Sequence, residues 1–372
     1  MGHLIYADYA ASSPMLPEAL ETLARLSAQV YGNPSSLHSF GEEAAAVLDD
    51  ARRKCAGMIG AEPDEILFTS GGTEADNLAL RGAPWKWIAV SAAEHPAVLR
   101  TAESLEKQGT PVMILPVNAS GETEVHLPAN ASGAGLVSVM LANNETGVIQ
   151  PVKEMAALAH SRGALFHCDA VQGAGHIPID VKELGADLMS VSAHKLGGPK
   201  GIGFLWIRRG IVLSPVLTGG GQEHGLRSGT ESVPLIGSFG EACSQSVIRM
   251  NGDGLRLTKL RDHIERELMQ LPDVRVNGEG KRLPGILNLS FGGVGGEALT
   301  LMCDVNGIAV SSGSACHAGD ERPSHVLTAM GVPERYVGSA LRISLGWNTH
   351  EEDADGIISA VTEAVNTIRA MG

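Results

Sequence analysis

Eight polar residues of this chain share one kind of place, since each follows closely on a short apolar run. They are Thr73, His95, Asn144, Asp169, Gln172, Ser192, His194 and Lys195, at the ends of EILFTSGG, KWIAVSAAEH, LVSVMLANN, ALFHCDAVQ and DLMSVSAHK. Such runs read as buried strands, and in an open parallel sheet the carboxyl ends of the strands form the edge where ligands bind. The set has a definite chemistry. A lysine amine can hold a carbonyl compound as a Schiff base, and a buried aspartate can pair with a cationic ring nitrogen. Hydroxyls and backbone N–H groups at a helix start, here Gly72 and Thr73, can hold a phosphate, with Ser192 and His194 adding donors. His95 can stack on a ring and relay protons. Pyridoxal 5'-phosphate needs all of these parts at once.

Each residue taken singly has a plainer account. Lys195 fits a solvated loop lysine, Thr73 a helix cap, His95 a loop histidine and Asp169 a cap or an ion-pair partner. Their joint placement at successive strand ends, in a workable order, is what outweighs those accounts. The glycine-rich pieces GGPKGIG and TGGGQEHG match neither a P-loop nor a dinucleotide-binding turn.

The elements that must position these residues follow from the pattern around them. From residue 66 a strand, a loop of small or polar residues and a helix recur, which predicts an α/β fold with a largely parallel sheet covered by helices on both faces. Before this lie predicted helices over 17–29, opened by Pro17, and over 41–59, closed by Gly60, with a turn-rich loop carrying Asn33 and His38 between them. After GIGFLWIRR and the loop TGGGQEHGLRSGTE comes a long helical region over 233–271. From about 285 the order changes to GILNLSFGG, GGEALTLMCDVNG, IAVSS, the loop GSACHAGDERPS, HVLTAMG, ALRISLG and a final helix, for which Thr349 and Glu352 make a capping box. The expected organisation is a large cofactor-binding α/β domain over 15–255 and a smaller α+β domain over 256–372, joined by residues 1–14.

Composition narrows the function classes. With 372 residues, 44% of them hydrophobic, the chain can bury a large core in two domains. A net charge of −14 without a basic run argues against nucleic acid or an anionic membrane as partner. No secretory signal is visible in MGHLIYADYAASSP, and no apolar run reaches bilayer length. The five cysteines are scattered without paired spacing, which fits free thiols in a reducing cytoplasm. Cys55, Cys168, Cys243 and Cys303 fall on apolar stripes, in a strand or in helices. Cys316 alone lies in a loop of small residues able to present its sulfur.

The segments SGGTEADN, EHPAV, NNETGVIQP, HCDAVQ, SAHKLGGPKGIG, GGGQEHGLRSGTE, SSGSAC and ALRISLG, in this order and spacing, resemble the cysteine desulfurases of the NifS/IscS type. These are fold-type I pyridoxal-phosphate enzymes of the class V aminotransferase group, and the resemblance covers nearly the whole chain from YADYAA and GNPSSLHSFG onward. It implies that Lys195 is the Schiff-base lysine, Asp169 the pyridinium partner, Gln172 the partner of the ring oxygen and His95 the stacking, proton-moving histidine. Gly72, Thr73, Ser192 and His194 resemble the phosphate cup, with Thr230 contributed by the neighbouring subunit of a homodimer. Asn144 and Arg342 resemble the residues holding cofactor and substrate carboxylate, and Asn33 is placed with them on the substrate side. Cys316 resembles the nucleophile that takes sulfur from L-cysteine as a persulfide, leaving L-alanine, for a sulfur acceptor or iron–sulfur scaffold protein.

One departure stands out. His317, Ala318 and Gly319 follow Cys316 where better-known members have Thr-Ser, which leaves loop behaviour and acceptor choice open, and His317 reads equally as an activating charge or a bystander. Two other readings remain. A selenocysteine lyase or a class V aminotransferase would use the same cofactor. A metal- or sulfur-binding protein built on His167, Cys168, Cys316 and His317 would not, but no metal-ligand spacing supports it.

Overall fold

Successive side chains of a strand point to opposite faces, and in this protein both faces of the main sheet are covered. Ile66 and Phe68, Met189 and Val191, and Phe204 and Trp206 pack into one buried cluster with residues of the helices Pro17–Gln29, Ser39–Ile59 and Val233–Leu268. Leu67, Leu188 and Leu205, between or beside them in sequence, pack into a second cluster with the helices Gly72–Arg81 and Pro96–Lys107. Burial on both sides is why these strands read as nearly continuous apolar runs.

The structure is a computed structural model whose described residues are 4–312 and 323–371. Seven strands form the main sheet in the order Ile66–Thr69, Gly203–Ile207, Leu188–Ser192, Leu165–Asp169, Leu136–Ser138, Ile88–Ser91 and Val112–Leu115. Gly203–Ile207 runs antiparallel to both neighbours, and every other pairing is parallel. The carboxyl ends of the parallel strands therefore lie along one edge. This is the mostly parallel, helix-covered α/β architecture of fold-type I.

A second, antiparallel sheet joins Val274–Val276, Ile286–Phe291 and Ala340–Ser344. Its core takes Leu287, Leu289, Phe291, Leu341 and Ile343 together with residues of the helices Gly296–Val305 and Glu351–Met371 and with Leu257, Leu260 and Ile264. The amino-terminal Ile5–Tyr6 pairs in parallel with Ile308–Ala309, so the start of the chain packs on this later unit. The single helix Val233–Leu268 serves both clusters, its first half the large sheet and its second half the small one. We therefore propose the division near residue 255 as a change of packing partners within a continuous helix, with no linker there.

The expected capping box of the last helix is displaced by one residue. His350 N–H donates to Asp353 Oδ2 (2.8 Å), whereas the Thr349 hydroxyl is engaged by Gly346 N–H (3.0 Å) and Glu352 takes no part. The turn that precedes the helix uses the threonine first. Among the described residues no helix is long and apolar enough to cross a membrane.

Candidate active site

The ends of the parallel strands open into a cavity of about 320 Å³. Ten residues singled out from the sequence line it: Gly72, Thr73, His95, Asn144, Asp169, Gln172, Ser192, His194, Lys195 and Arg342. Lys195 closes a single tight turn, Ala193–Lys195, that follows directly on the strand Leu188–Ser192. Its Nζ donates to the carbonyls of Ala10 (2.6 Å) and Ala11 (2.9 Å). Gln172 Nε2 donates to the same Ala10 carbonyl (2.9 Å). The amino-terminal segment thus braces the site, a role that its own sequence does not announce.

Asp169 ends the adjacent strand, Leu165–Asp169, and is buried. Its Oδ1 accepts from Val171 N–H (2.9 Å). Burial raises its pKa to about 6, against the opposing effects of that N–H and of the Lys195 charge. Two further acids lie close behind. Asp76 is raised well above the carboxylate range by burial and by the Asp169 charge, only partly offset by the Ser190 hydroxyl. Glu94, whose Oε1 accepts from Met140 N–H (2.7 Å), is raised well above it too, by burial and then by Asp169. Several carboxyls in one dry region cannot all ionise, so the one with the best partners keeps the charge. That one is Asp169.

A folded pKa above the unfolded value is a cost that is absent near pH 4 and grows as pH rises toward about 6. Asp169→Asn is therefore expected to raise the melting temperature of the cofactor-free protein at about pH 7.5 and to leave it nearly unchanged at about pH 4. Calorimetry at the two pH values checks this, and identical melting at the higher pH would contradict it.

Gly71 adopts φ +152 and Gly72 opens the helix Gly72–Arg81, which carries Asp76 one turn further on. A Cβ on Gly72 would sit 2.7 Å from Val171 Cγ2, so the close approach of helix start and strand end requires glycine. Thr73 is exposed at the second helical position, beside first-turn N–H groups suited to an anion. Glu74, next in the helix, receives Ser70 N–H (2.8 Å) and pairs with Arg227 (3.0 Å). His194 Nδ1 lies 3.3 Å from Ser12 Oγ, and burial, with Lys195 and Lys200, pushes its pKa down to about 4. It is neutral near pH 7.

His95 caps the helix Pro96–Lys107, its Nδ1 accepting from Ala97 N–H (3.1 Å), so the neutral ring carries its proton on Nε2. Of the adjacent asparagines, Asn143 spends its amide on Glu145 N–H, Thr146 and the Ala93 carbonyl. Asn144 is left to line the cavity. Its carbonyl accepts from Arg342 Nη1 (3.0 Å), and Arg342 Nη2 pairs with Asp8 (2.7 Å).

Not every expected residue comes to this cavity. Asn33 is exposed in its loop, where its Oδ1 accepts from Ser35 N–H (2.9 Å) in a local turn. Thr230 is exposed on the loop that Arg227 ties to Glu74 and is not among the residues lining the cavity of its own chain. Cys316 and His317 lie outside the described residues. His167 and Cys168, named for a metal site, are both fully buried and adjacent in a strand, hence directed to opposite faces. The His167 ring is engaged by Ser138 (2.8 Å) and Ser190 (3.0 Å). Asp76, Asp8 and the Ala10 and Ala11 carbonyls are site features that the sequence reading passed over.

The donor set fits pyridoxal 5'-phosphate. A carboxylate raised to about 6 by burial would be relieved by a pyridinium nitrogen, a lysine amine stands at the neighbouring strand end, and a glycine-bounded helix start offers its N–H groups.

Comparison with known proteins agrees. A model of the aminotransferase class-V family matches residues 5–357. The cysteine desulfurase IscS of Dictyoglomus turgidum is 41% identical over 377 residues, spanning 99% of this chain and 96% of that protein. The cysteine desulfurase IscS of Methanosarcina thermophila is 42% identical over 376 residues, spanning 99% and 93%. Among solved structures, a NifS-like protein from Rickettsia africae aligns with a TM-score of 0.90 at 32% identity, covering 98% of this chain and 100% of that one. Another NifS-like protein aligns with a TM-score of 0.91 at 35% identity over the same shares.

Proposed function

We propose, since the chain belongs to the aminotransferase class-V family, that it is a pyridoxal-phosphate-dependent cysteine desulfurase that carries the sulfur of L-cysteine on Cys316 and releases L-alanine. The observation that carries this reading is the pairing of Lys195 and Asp169 at adjacent strand ends in one cavity. When bound, pyridoxal phosphate supplies an electron sink that loosens bonds around the α-carbon of an amino acid.

The chain's own residues do the rest. Lys195 would hold the cofactor through its amine, and the Ala10 and Ala11 carbonyls keep that amine at the site when it is free. Asp169, anionic at neutral pH, would favour the protonated form of the cofactor's ring nitrogen, and Gln172 would partner its ring oxygen. His95, fixed by its cap, would flank the cofactor and hold or move a proton at Nε2. The first turn at Gly72 and Thr73, with Ser192 and neutral His194, takes the phosphate. Arg342 and Asn144 hold the substrate carboxylate and cofactor. Cys316 as thiolate attacks the substrate sulfur, which breaks from carbon as the new S–S bond forms. The products are alanine and a Cys316 persulfide.

A homodimer would bring Thr230 of one subunit to the phosphate of the other, and the acceptor of the persulfide would be an iron–sulfur scaffold or sulfur-carrier protein of the cytoplasm. Incubation with L-cysteine alone is expected to yield alanine and, with a thiol reductant, sulfide in equal amounts. A requirement for a keto acid would point to an aminotransferase, and turnover of L-selenocysteine alone to a lyase.

A further inference from the structure

Arg342 heads the large side chains that the fold buries, with 2% of its surface exposed, and it lines the active-site cavity. Its guanidinium has two anchors on two different nitrogens. Nη1 donates to the Asn144 carbonyl (3.0 Å) and Nη2 to Asp8 Oδ1 (2.7 Å). Nε is buried without a hydrogen-bond partner.

Both backbones behind this pair are locked. Ser344 N–H donates to the Ala7 carbonyl (2.8 Å), Tyr9 N–H to the Ser344 carbonyl (3.2 Å) and Ala10 N–H to Ser344 Oγ (2.9 Å), so Asp8 is laced beside the strand that carries Arg342. On the other side Arg342 exchanges backbone hydrogen bonds with Ser311 (2.7 and 3.2 Å). The Asp8 carboxylate therefore meets the guanidinium from a fixed position.

Two anchors on separate nitrogens fix the plane of a guanidinium. What remains is the unpartnered Nε–H and the second Nη2 hydrogen. A carboxylate is the partner that can accept both together. Asp8 also compensates the buried charge before any substrate arrives, which keeps the arginine from turning toward other acceptors.

Building on the reading of Arg342 as the carboxylate partner, we propose that Asp8 is the positioning residue that holds Arg342 ready for an α-carboxylate and so makes the enzyme demand one in its substrate. An asparagine at position 8 retains an acceptor but loses the charge. The guanidinium would then be held by one neutral carbonyl and a weakened contact.

The test uses the holoenzyme and the absorbance of its bound cofactor. L-alanine, which has the α-carboxylate and no sulfur to lose, is titrated beside ethylamine, which lacks the carboxylate. Asp8→Asn is expected to raise the half-saturating concentration of L-alanine by about tenfold or more while that of ethylamine stays within about twofold. Asp8→Glu, which keeps the charge on a longer stem, should fall between wild type and Asp8→Asn. If Asp8→Asn does not fold, the glutamate variant must still weaken L-alanine more than ethylamine. Arg342→Gln separates the two layers of the argument. Selective loss of L-alanine in Arg342→Gln, with both ligands unchanged, equally weakened or tightened in the Asp8 variants, overturns the role of Asp8 and leaves Arg342 as read. No selective loss in Arg342→Gln overturns the reading of Arg342 and the proposal with it.

Discussion

A colourless protein is the expected product of Lys195→Ala. Lys195 is the one lysine among the described residues lining the cavity, and its amine stands at a strand end beside Asp169. Without it no imine to the protein can form, the visible absorbance of the holoenzyme is lost, and desulfuration should fall by more than about 10⁴-fold. Borohydride treatment of the wild type should fix the cofactor on the peptide containing Lys195. Label on another lysine would end the assignment. The same variant tests Thr230. If Thr230 completes the partner's phosphate site, mixing Lys195→Ala with Thr230→Ala subunits gives hybrid dimers with one site native in both residues, and activity should return to about a quarter of wild type. If Thr230 serves its own chain, no hybrid site is native in both, and mixing restores nothing.

The strand ends were legible in the sequence because these doubly buried strands carry no acid or lysine until they stop, their inner polar residues such as His167 and Ser190 pairing with each other. In LFHCDAVQ and LMSVSAHK the first charged residues after the apolar run are the ones that reach the cavity. Glycine marked the other wall, since Gly71 and Gly72 stand where the helix start comes too close to Val171 for a side chain. Asp76 escaped because a carboxylate inside a helix is ordinarily solvated, although its place on one stripe with Ala75 and Ala79 was a signal that it is buried.

Contacts distant in sequence were the least legible. Asp8 and Arg342 are separated by 334 positions, and nothing in YADYAA or ALRISLG specifies that one faces the other. The choice between Asn143 and Asn144 has the same origin, for only the turn geometry shows that the first amide is fully used. Thr349 illustrates competition at short range, where the turn before the helix claims the hydroxyl that the capping pattern requires. Asn33 was assigned through likeness to a family rather than through any property of its loop, and within one chain it serves a local turn.

Cys316→Ala is expected to bind cofactor as the wild type does, to change its absorbance when L-cysteine is added, and to release alanine at a rate lowered by about three orders of magnitude or more. The argument rests on what a sulfur nucleophile needs. It must ionise and it must reach the substrate. Cys55, Cys168, Cys243 and Cys303 cannot reach it, for all four are free thiols in the buried interior of helices or strands. Burial pushes Cys168 and Cys243 well above the usual thiol range, the first also through the charges of Asp169, Glu94 and Asp76 and the second through its contact with Cys55. It pushes Cys303 up to about 12. At neutral pH a thiol at that value is thiolate in about one molecule in 10⁵, which is too little to stand in for a lost nucleophile. Substrate binding precedes sulfur attack, so the spectral response should survive the substitution while turnover does not. Mass spectrometry of the wild type after L-cysteine should find one added sulfur on the peptide containing Cys316 and none on the peptides of the buried four. Undiminished alanine release by Cys316→Ala would mean that sulfur leaves the substrate without attack by this thiol, and retention of activity toward L-selenocysteine alone would move the assignment to a lyase, which expels selenium without a cysteine acceptor.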